Sequence, residues 1–340
     1  MTNVPAAAIH GRAPGAVDVA SAAQLACLLE ASAPKPGNVS PGRHFADARY
    51  EDFLASAVAI GGPLAGAGSR PVGATVRLAV EATAQWTRSN TNLGIVLLLT
   101  PIARAAALAE KVRLKPDTTS DADSDSYVVS GFSRTLRSAV REVLESTTVA
   151  DAREVYAAIR RAAPGGLGRA EAQDVASDPT IPLLDAMRLA ADRDLVAREY
   201  ATAFEITFGT GAPVLDRARR AGLSWDDAVV ETFLTLLAAN PDTHIARRGG
   251  AMLAADISTE ARAALASGGV RTASGRRAID EMDRRMRDSR NTANPGTTAD
   301  LTAAAIFVVL LGGGWSAPGA CDPVVGVANA DDGGSDAASR

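Results

Sequence analysis

Apolar residues recur along this chain every three or four positions, the period that turns one face of an α-helix inward. Residues 17–33 show it first, with Leu25, Leu28 and Leu29 on one face. The segment PKPGNVSPG (34–42) ends that helix, because its three prolines and two glycines cannot continue it. The pattern returns over 50–60, 72–86 and from 93 to about 110. Further helices are predicted over 135–163, 183–191, 194–208, 212–221, 225–239, 259–267, 274–290 and 297–311. Asp151 is a candidate N-cap that divides 135–163 into two helices. Asp226 and Asp227 suit the positive N-terminal end of theirs.

No segment alternates strictly between apolar and polar residues with hairpin turn signals. The β-like run is YVVS (127–130), inside the Asp-, Ser- and Thr-rich stretch KVRLKPDTTSDADSDSYVVSGFS (111–133), which reads as a surface insertion or linker. The prediction is an all-α fold: one large helical catalytic domain over 17–314, a loose N-terminus over 1–16 and a flexible tail over 315–340.

Composition strengthens the helical reading. Hydrophobic residues make up 47% of 340 while aromatics are 4%, so Ala, Leu and Val must supply the packing. Such sequence has high helix propensity. The formal net charge of −4 gives no electrostatic case for a nucleic-acid partner. Cys27 and Cys321 form neither a zinc pattern nor a disulfide framework. Pro101 and Arg104 interrupt the apolar run at 93–109, and the run at 301–311 is too short to cross a bilayer. The N-terminus lacks a basic region followed by an apolar core. The expectation is a cytoplasmic protein with no membrane partner, its self-association left open.

Five polar segments at helix boundaries carry the candidate chemistry. They are KPGNV (35–39) followed by His44 and Asp47, NTNLG (90–94), GGLGRAEAQDV (165–175), PDTHIARRGG (241–250) and NTANPGTTADLTAAA (291–305). Each has a bland reading: KPG as a turn with a solvated Lys35, Asn90 as a helix cap, the glycines as flexible joints, Asp300 as a surface ion-pair member. Their recurrence points further. Helix N-termini present free N–H groups to phosphate oxygens, and glycine permits close approach. Lys35, Arg247 and Arg248 can neutralise phosphate. Asp47, Asp174, Asp242 and Asp300 are hard oxygen ligands suited to Mg²⁺, which takes one or two carboxylates plus phosphate oxygens. Together they read as a Mg²⁺–polyphosphate site, though no GxxxxGK[ST] loop is present.

In this order, KPGNV, NTNLG, DTHIARRGG, Met282-Asp283 and NPGTTADL, the chain resembles the triphosphoribosyl-dephospho-CoA synthase family over residues 22–314. Asn92 and Leu93 stand where that family carries a basic pair, and NPGT stands in place of NPGG. The resemblance implies an all-α enzyme. In its reaction the 2′-hydroxyl of 3′-dephospho-CoA attacks the ribose C1 of ATP and adenine leaves, making a prosthetic-group precursor. It implies Mg²⁺ or ribosyl-cation contacts for Asp242 and Asp300, and a proton-transfer role for His44 or His244. Lys35, Arg247 and Arg248 would hold triphosphate, with Gly249 and Gly250 allowing close approach. Asn38, Asn90, Thr91, Asn92, Gly94, Asn294 and Gly296 would line the nucleotide site. The alternatives are a related phosphoribosyl-type transfer to a pterin-cofactor precursor, a Mg²⁺-dependent N-ribosyl hydrolase, and a helical scaffold without catalysis.

Overall fold

The computed structural model describes residues 18–113 and 125–315. The stretches expected to be a loose N-terminus and a tail lie almost wholly outside these residues. Among them the chain is helical, and its β structure is an isolated bridge between Ser40 and Arg43. The N-terminal half holds α1 (Val19–Ser32), α2 (Tyr50–Ala59), α3 (Gly61–Ala65), α4 (Val72–Thr83), α5 (Leu93–Arg113), α6 (Asp125–Glu145) and α7 (Val149–Ala162). After an irregular segment come α8 (Leu183–Ala190), α9 (Leu195–Thr202), a π-helical turn (Thr207–Gly211), α10 (Ala212–Arg220) and α11 (Trp225–Ala239). Then follow α12 (Thr243–Gly249), α13 (Ala251–Ala266), α14 (Ala273–Met286) and α15 (Gly296–Leu311).

At the centre lies α15. It is apolar on every side, and each residue from Leu301 to Leu310 is buried. A helix without a polar face must be enclosed, and α1, α5, α10 and α11 surround it. Small residues set the close approaches: a Cβ on Gly211 of the π-helical turn would lie 2.9 Å from that of Ala305. Pro101 sits inside α5 without an N–H to offer, which leaves the Leu97 carbonyl unpaired within the helix. The buried Tyr200 hydroxyl of α9 donates to that carbonyl at 2.7 Å.

Several helix bounds differ from the sequence reading. The 111–133 stretch is not a linker throughout: α5 continues to Arg113 and α6 begins at Asp125, so YVVS is helical. Asp151 is not the N-cap of α7. Thr148 is, and Asp151 closes the reciprocal capping box while also accepting the Gly73 N–H at 2.8 Å. The predicted helix 194–208 breaks where Ala203 and Phe204 adopt left-handed backbone; the buried Glu199 carboxylate receives the N–H groups of Ile206 and Thr207 beyond the break. The 241–250 segment contains α12, and the helix predicted over 259–267 begins earlier, at Ala251.

Candidate active site

The N-terminal ends of α5, α12 and α15 converge. Asp242 fixes two of them. As N-cap of α12 it accepts N–H groups from His244 (2.8 Å) and Ile245 (3.0 Å) at Oδ1. Its Oδ2 accepts the N–H and hydroxyl of Thr298 in the first turn of α15, both at 2.7 Å. Burial raises its pKa, against these hydrogen bonds from Thr298, Ile245 and His244, which lower it. A carboxylate offers about four lone-pair sites, and all are occupied. Asp242, expected among the catalytic and metal-binding groups, is fully buried and does not line the cleft described below. It positions α12 against α15.

The 34–43 segment is tied down differently. Asp283 of α14 accepts the Gly37 N–H at 2.8 Å and pairs with Arg43 (2.9 Å) and Arg287 (2.8 Å). Gly37 has φ +75° and no room for a side chain, since a Cβ would meet Met286 Cε at 2.6 Å. Lys35 is fully buried; its Nζ pairs with Glu30 at 3.0 Å and donates to the Glu30 and Ala33 carbonyls at the end of α1. With its donors engaged there, Lys35, expected to hold triphosphate, does not line the cleft described below. The Asn38 amide donates to Asn294 Oδ1 at 2.7 Å. His44 Nδ1 accepts the Tyr50 N–H at 3.1 Å, so this exposed ring, expected in proton transfer, caps the start of α2 and does not line the cleft.

Beside the converging helix ends opens a cleft of about 1050 Å³. Of the expected residues, Asp47, Asn90, Gly94, Asp174, His244, Arg247, Arg248, Asn294 and Asp300 line it. Thr91 and Asn92 line an adjoining hollow; Thr91 shares a 2.5 Å contact with Ser56, and Asn92 donates to Thr83. Gly249, Gly250 and Gly296 line neither. Packing and chain direction hold these positions to glycine: a Cβ on Gly249 would strike Leu253 at 2.4 Å, one on Gly296 would lie 2.8 Å from the His244 ring, and Gly250 has φ +93°. Asp174 orders the irregular loop, accepting the N–H groups of Ala170 (2.6 Å) and Ala176 (2.8 Å), which hold its pKa down.

Asp300 is the reactive candidate. No hydrogen bond from the described residues reaches its carboxylate, which lies against the backbone of α5 at Gly94. A Cβ there would be 1.9 Å from Asp300 Oδ2. Burial pushes the Asp300 carboxyl well above its ordinary range, reinforced by Glu30, Asp242 and Asp194 and opposed by Arg247. Nearby, His244 is pushed down to about 4 by burial and by Arg247 and Arg248, so its imidazole is neutral at pH 7. Its Nε2 is buried without a partner. Arg247 pairs with Asp194, the N-cap of α9, while Arg248 donates to the Arg290 carbonyl. Four further arginines, Arg88, Arg161, Arg193 and Arg290, line the cleft, and sequence reasoning missed them. They share no motif; only the tertiary fold brings residues so far apart in sequence to one wall.

Fold and site together define an all-α protein with an arginine-lined cleft, whose wall holds the Asp300 carboxylate, without a hydrogen-bond partner among the described residues, beside a helix N-terminus. The comparisons are more specific. Residues 16–318 match the family described as ATP:dephospho-CoA triphosphoribosyl transferase, and the chain belongs to this family of transferase enzymes. A Pseudomonas putida relative with the provisional name 2-(5''-triphosphoribosyl)-3'-dephosphocoenzyme-A synthase is 38% identical over 113 residues, 33% of this chain and 40% of the relative. One from Stutzerimonas stutzeri, of the same provisional name, is 34% identical over 125 residues, 36% of this chain and 42% of the relative. The chain thus aligns with less than half the length of these curated relatives. A crystal structure from Archaeoglobus fulgidus, provisionally titled a triphosphoribosyl-dephospho-CoA synthase, superposes with a TM-score of 0.56 at 28% identity, covering 78% of this chain and 100% of that one. No helix among the described residues is long and apolar enough to cross a membrane.

Proposed function

We propose that this chain transfers the triphosphoribosyl group of ATP to the 2′-hydroxyl of 3′-dephospho-CoA and releases adenine. The observation that carries this reading is the Asp300 carboxylate in the cleft wall, free of hydrogen-bond partners among the described residues. A base works best with a pKa near the operating pH, and its buried, anionic surroundings move Asp300 in that direction. In the proposed step the acceptor oxygen forms a bond to ribose C1′ as the C1′–N9 bond breaks. The hydroxyl proton passes to Asp300. Adenine departs with the bonding electron pair and takes a proton from solvent. Cationic character at C1′ is stabilised by a carboxylate alongside, as in glycoside cleavage. His244, being neutral, offers an N–H hydrogen bond to the departing base without itself giving up a proton. Arg247 and Arg248 face the triphosphate.

Mg²⁺ fits the residues present in part. Of the four carboxylates expected to bind it, Asp47 and Asp300 have no side-chain hydrogen bond among the described residues, whereas the oxygens of Asp174 and Asp242 are occupied. No cluster of three or more protein ligands exists among the described residues. That suits an ion held by Asp47 or Asp300 together with triphosphate oxygens, where it would neutralise phosphate charge.

The test is chromatographic. Protein supplied with Mg-ATP and dephospho-CoA should release adenine, and Asp300→Asn should abolish that release while remaining folded. A folded Asp300→Asn protein with wild-type turnover would remove Asp300 from the chemistry.

A further inference from the structure

The arginines of the cleft fall into groups. Arg247 and Arg248 lie by His244 on α12, with Arg290 joined to Arg248 through its carbonyl. A second pair lines a smaller hollow as well as this cleft. Arg88, in the segment after α4, and Arg161, in the last turn of α7, both line a hollow of about 40 Å³ that shares Ser89, Asn90, Leu93, Ala162 and both arginines with the main cleft.

Three features make this hollow an anion site. First, no acidic residue lines it, so its charges are the two guanidinium groups. Second, neither guanidinium has a hydrogen bond or ion pair among the described residues. The contrast with Arg160, one residue before Arg161, is direct: Arg160 donates to the Val175 carbonyl at 2.7 Å. Both arginines are exposed residues lining the hollow, so water screens their mutual repulsion and their side chains are free to turn toward a bound anion. Third, the neutral groups present further donors. Asn90 uses its Oδ1 to accept the Leu93 N–H at 3.1 Å, which leaves its amide N–H groups unengaged. The hollow also adjoins the first turn of α5, whose free N–H groups and dipole add to the same sign.

We infer that Arg88 and Arg161 form a second phosphate subsite, which takes the diphosphate of the acceptor, while Arg247, Arg248 and Arg290 take the triphosphate of the donor. This rests on the transfer reading above. Leu93 and Gly94 link the two poles in sequence and in space, and Asp300 lies against Gly94. A reaction joining two phosphorylated nucleotides needs this arrangement: an anion site for each, with the base between. Arginine is suited to both, because its planar fork matches phosphate oxygens.

Isothermal titration of the full chain with dephospho-CoA, ATP and inorganic diphosphate, each alone, tests the assignment. Arg88→Ala/Arg161→Ala should weaken dephospho-CoA at least tenfold, remove one of two diphosphate sites and leave ATP affinity within threefold. Arg247→Ala/Arg248→Ala should show the reverse preference. Unchanged dephospho-CoA affinity in the Arg88→Ala/Arg161→Ala protein, or equal losses for both nucleotides, overturns the subsite. Wild-type protein that fails to bind ATP, yet loses dephospho-CoA on the Arg88/Arg161 substitutions, supports the subsite and removes ATP as the donor. The two readings therefore fail separately.

Discussion

Replacing Gly94 by alanine adds one methyl group at the point where α5 meets Asp300. Built on the existing backbone, the new Cβ would lie 1.9 Å from Asp300 Oδ2 and 2.5 Å from Cγ. Real Cβ contacts do not fall below 3.0 Å, so the carboxylate must retreat by about 1.1 Å, and a displacement of that size at reacting groups costs on the order of 100-fold in rate. The stability effect is different. Gly→Ala in a helix gains up to about 1 kcal/mol from backbone propensity, set against about 1–3 kcal/mol for overpacking where neighbours cannot move. Asp300 has no hydrogen bond to lose and open cleft beside it, so the clash is relieved cheaply. The expected protein therefore melts within a few degrees of wild type while its rate of adenine release falls about 100-fold. Measuring both on one preparation checks this. A Gly94→Ala enzyme within threefold of wild-type kcat would refute the assignment of Asp300 to the reacting centre.

Asp242→Asn should behave in the opposite sense. An asparagine cannot accept from the Thr298 N–H and hydroxyl and from the N–H groups of His244 and Ile245 together, so denaturant unfolding should show a loss of about 2–3 kcal/mol. A loss of activity with unchanged stability would contradict its positioning role. Lys35→Met should destabilise by about 3–5 kcal/mol, because Glu30 is left buried and unpaired, and Glu30→Met/Lys35→Met should recover much of that; a specific rise in the KM for ATP without destabilisation would return Lys35 to the phosphate site. Glu199 has its pKa raised by burial from 4.5 to about 7. The folded state therefore holds the proton more tightly than the unfolded chain, and stability should fall by up to about 3 kcal/mol as pH rises between those values. Glu199→Gln should flatten that slope in denaturant melts at a series of pH values, and an unaltered slope would assign it to other groups. Activity should decline as pH falls through the raised pKa of Asp300, since a general base acts unprotonated, and an acid-activated pH–rate profile would contradict that role.

The fold was largely legible in the sequence, because helical period survives without aromatic packing and Pro/Gly segments mark its interruptions. Helix ends were less so. Asp151 looked like a cap because Asp caps well, but Thr148 precedes it with the geometry of a capping box, a signal present at T-x-x-D and passed over. The π-helical turn after Ala203 depends on a buried carboxylate folding back, which no local pattern announces. In the site, the polar segments do meet, yet burial sorts them in a way composition could not. Lys35 and Asp242 carry the expected chemistry but are enclosed by their own neighbours, whereas Asp300, of the same residue type as Asp242, is left free. Arg88, Arg161 and Arg193 lie outside every motif and reach the cleft through helix packing.

The most direct measurement is the mass of the acceptor after incubation with Mg-ATP. The predicted result is dephospho-CoA heavier by one triphosphoribosyl group, formed in equal amount with free adenine. Adenine formed with unmodified dephospho-CoA would mean hydrolysis of the N-ribosyl bond, and folded protein that yields neither product would contradict the proposed transfer outright.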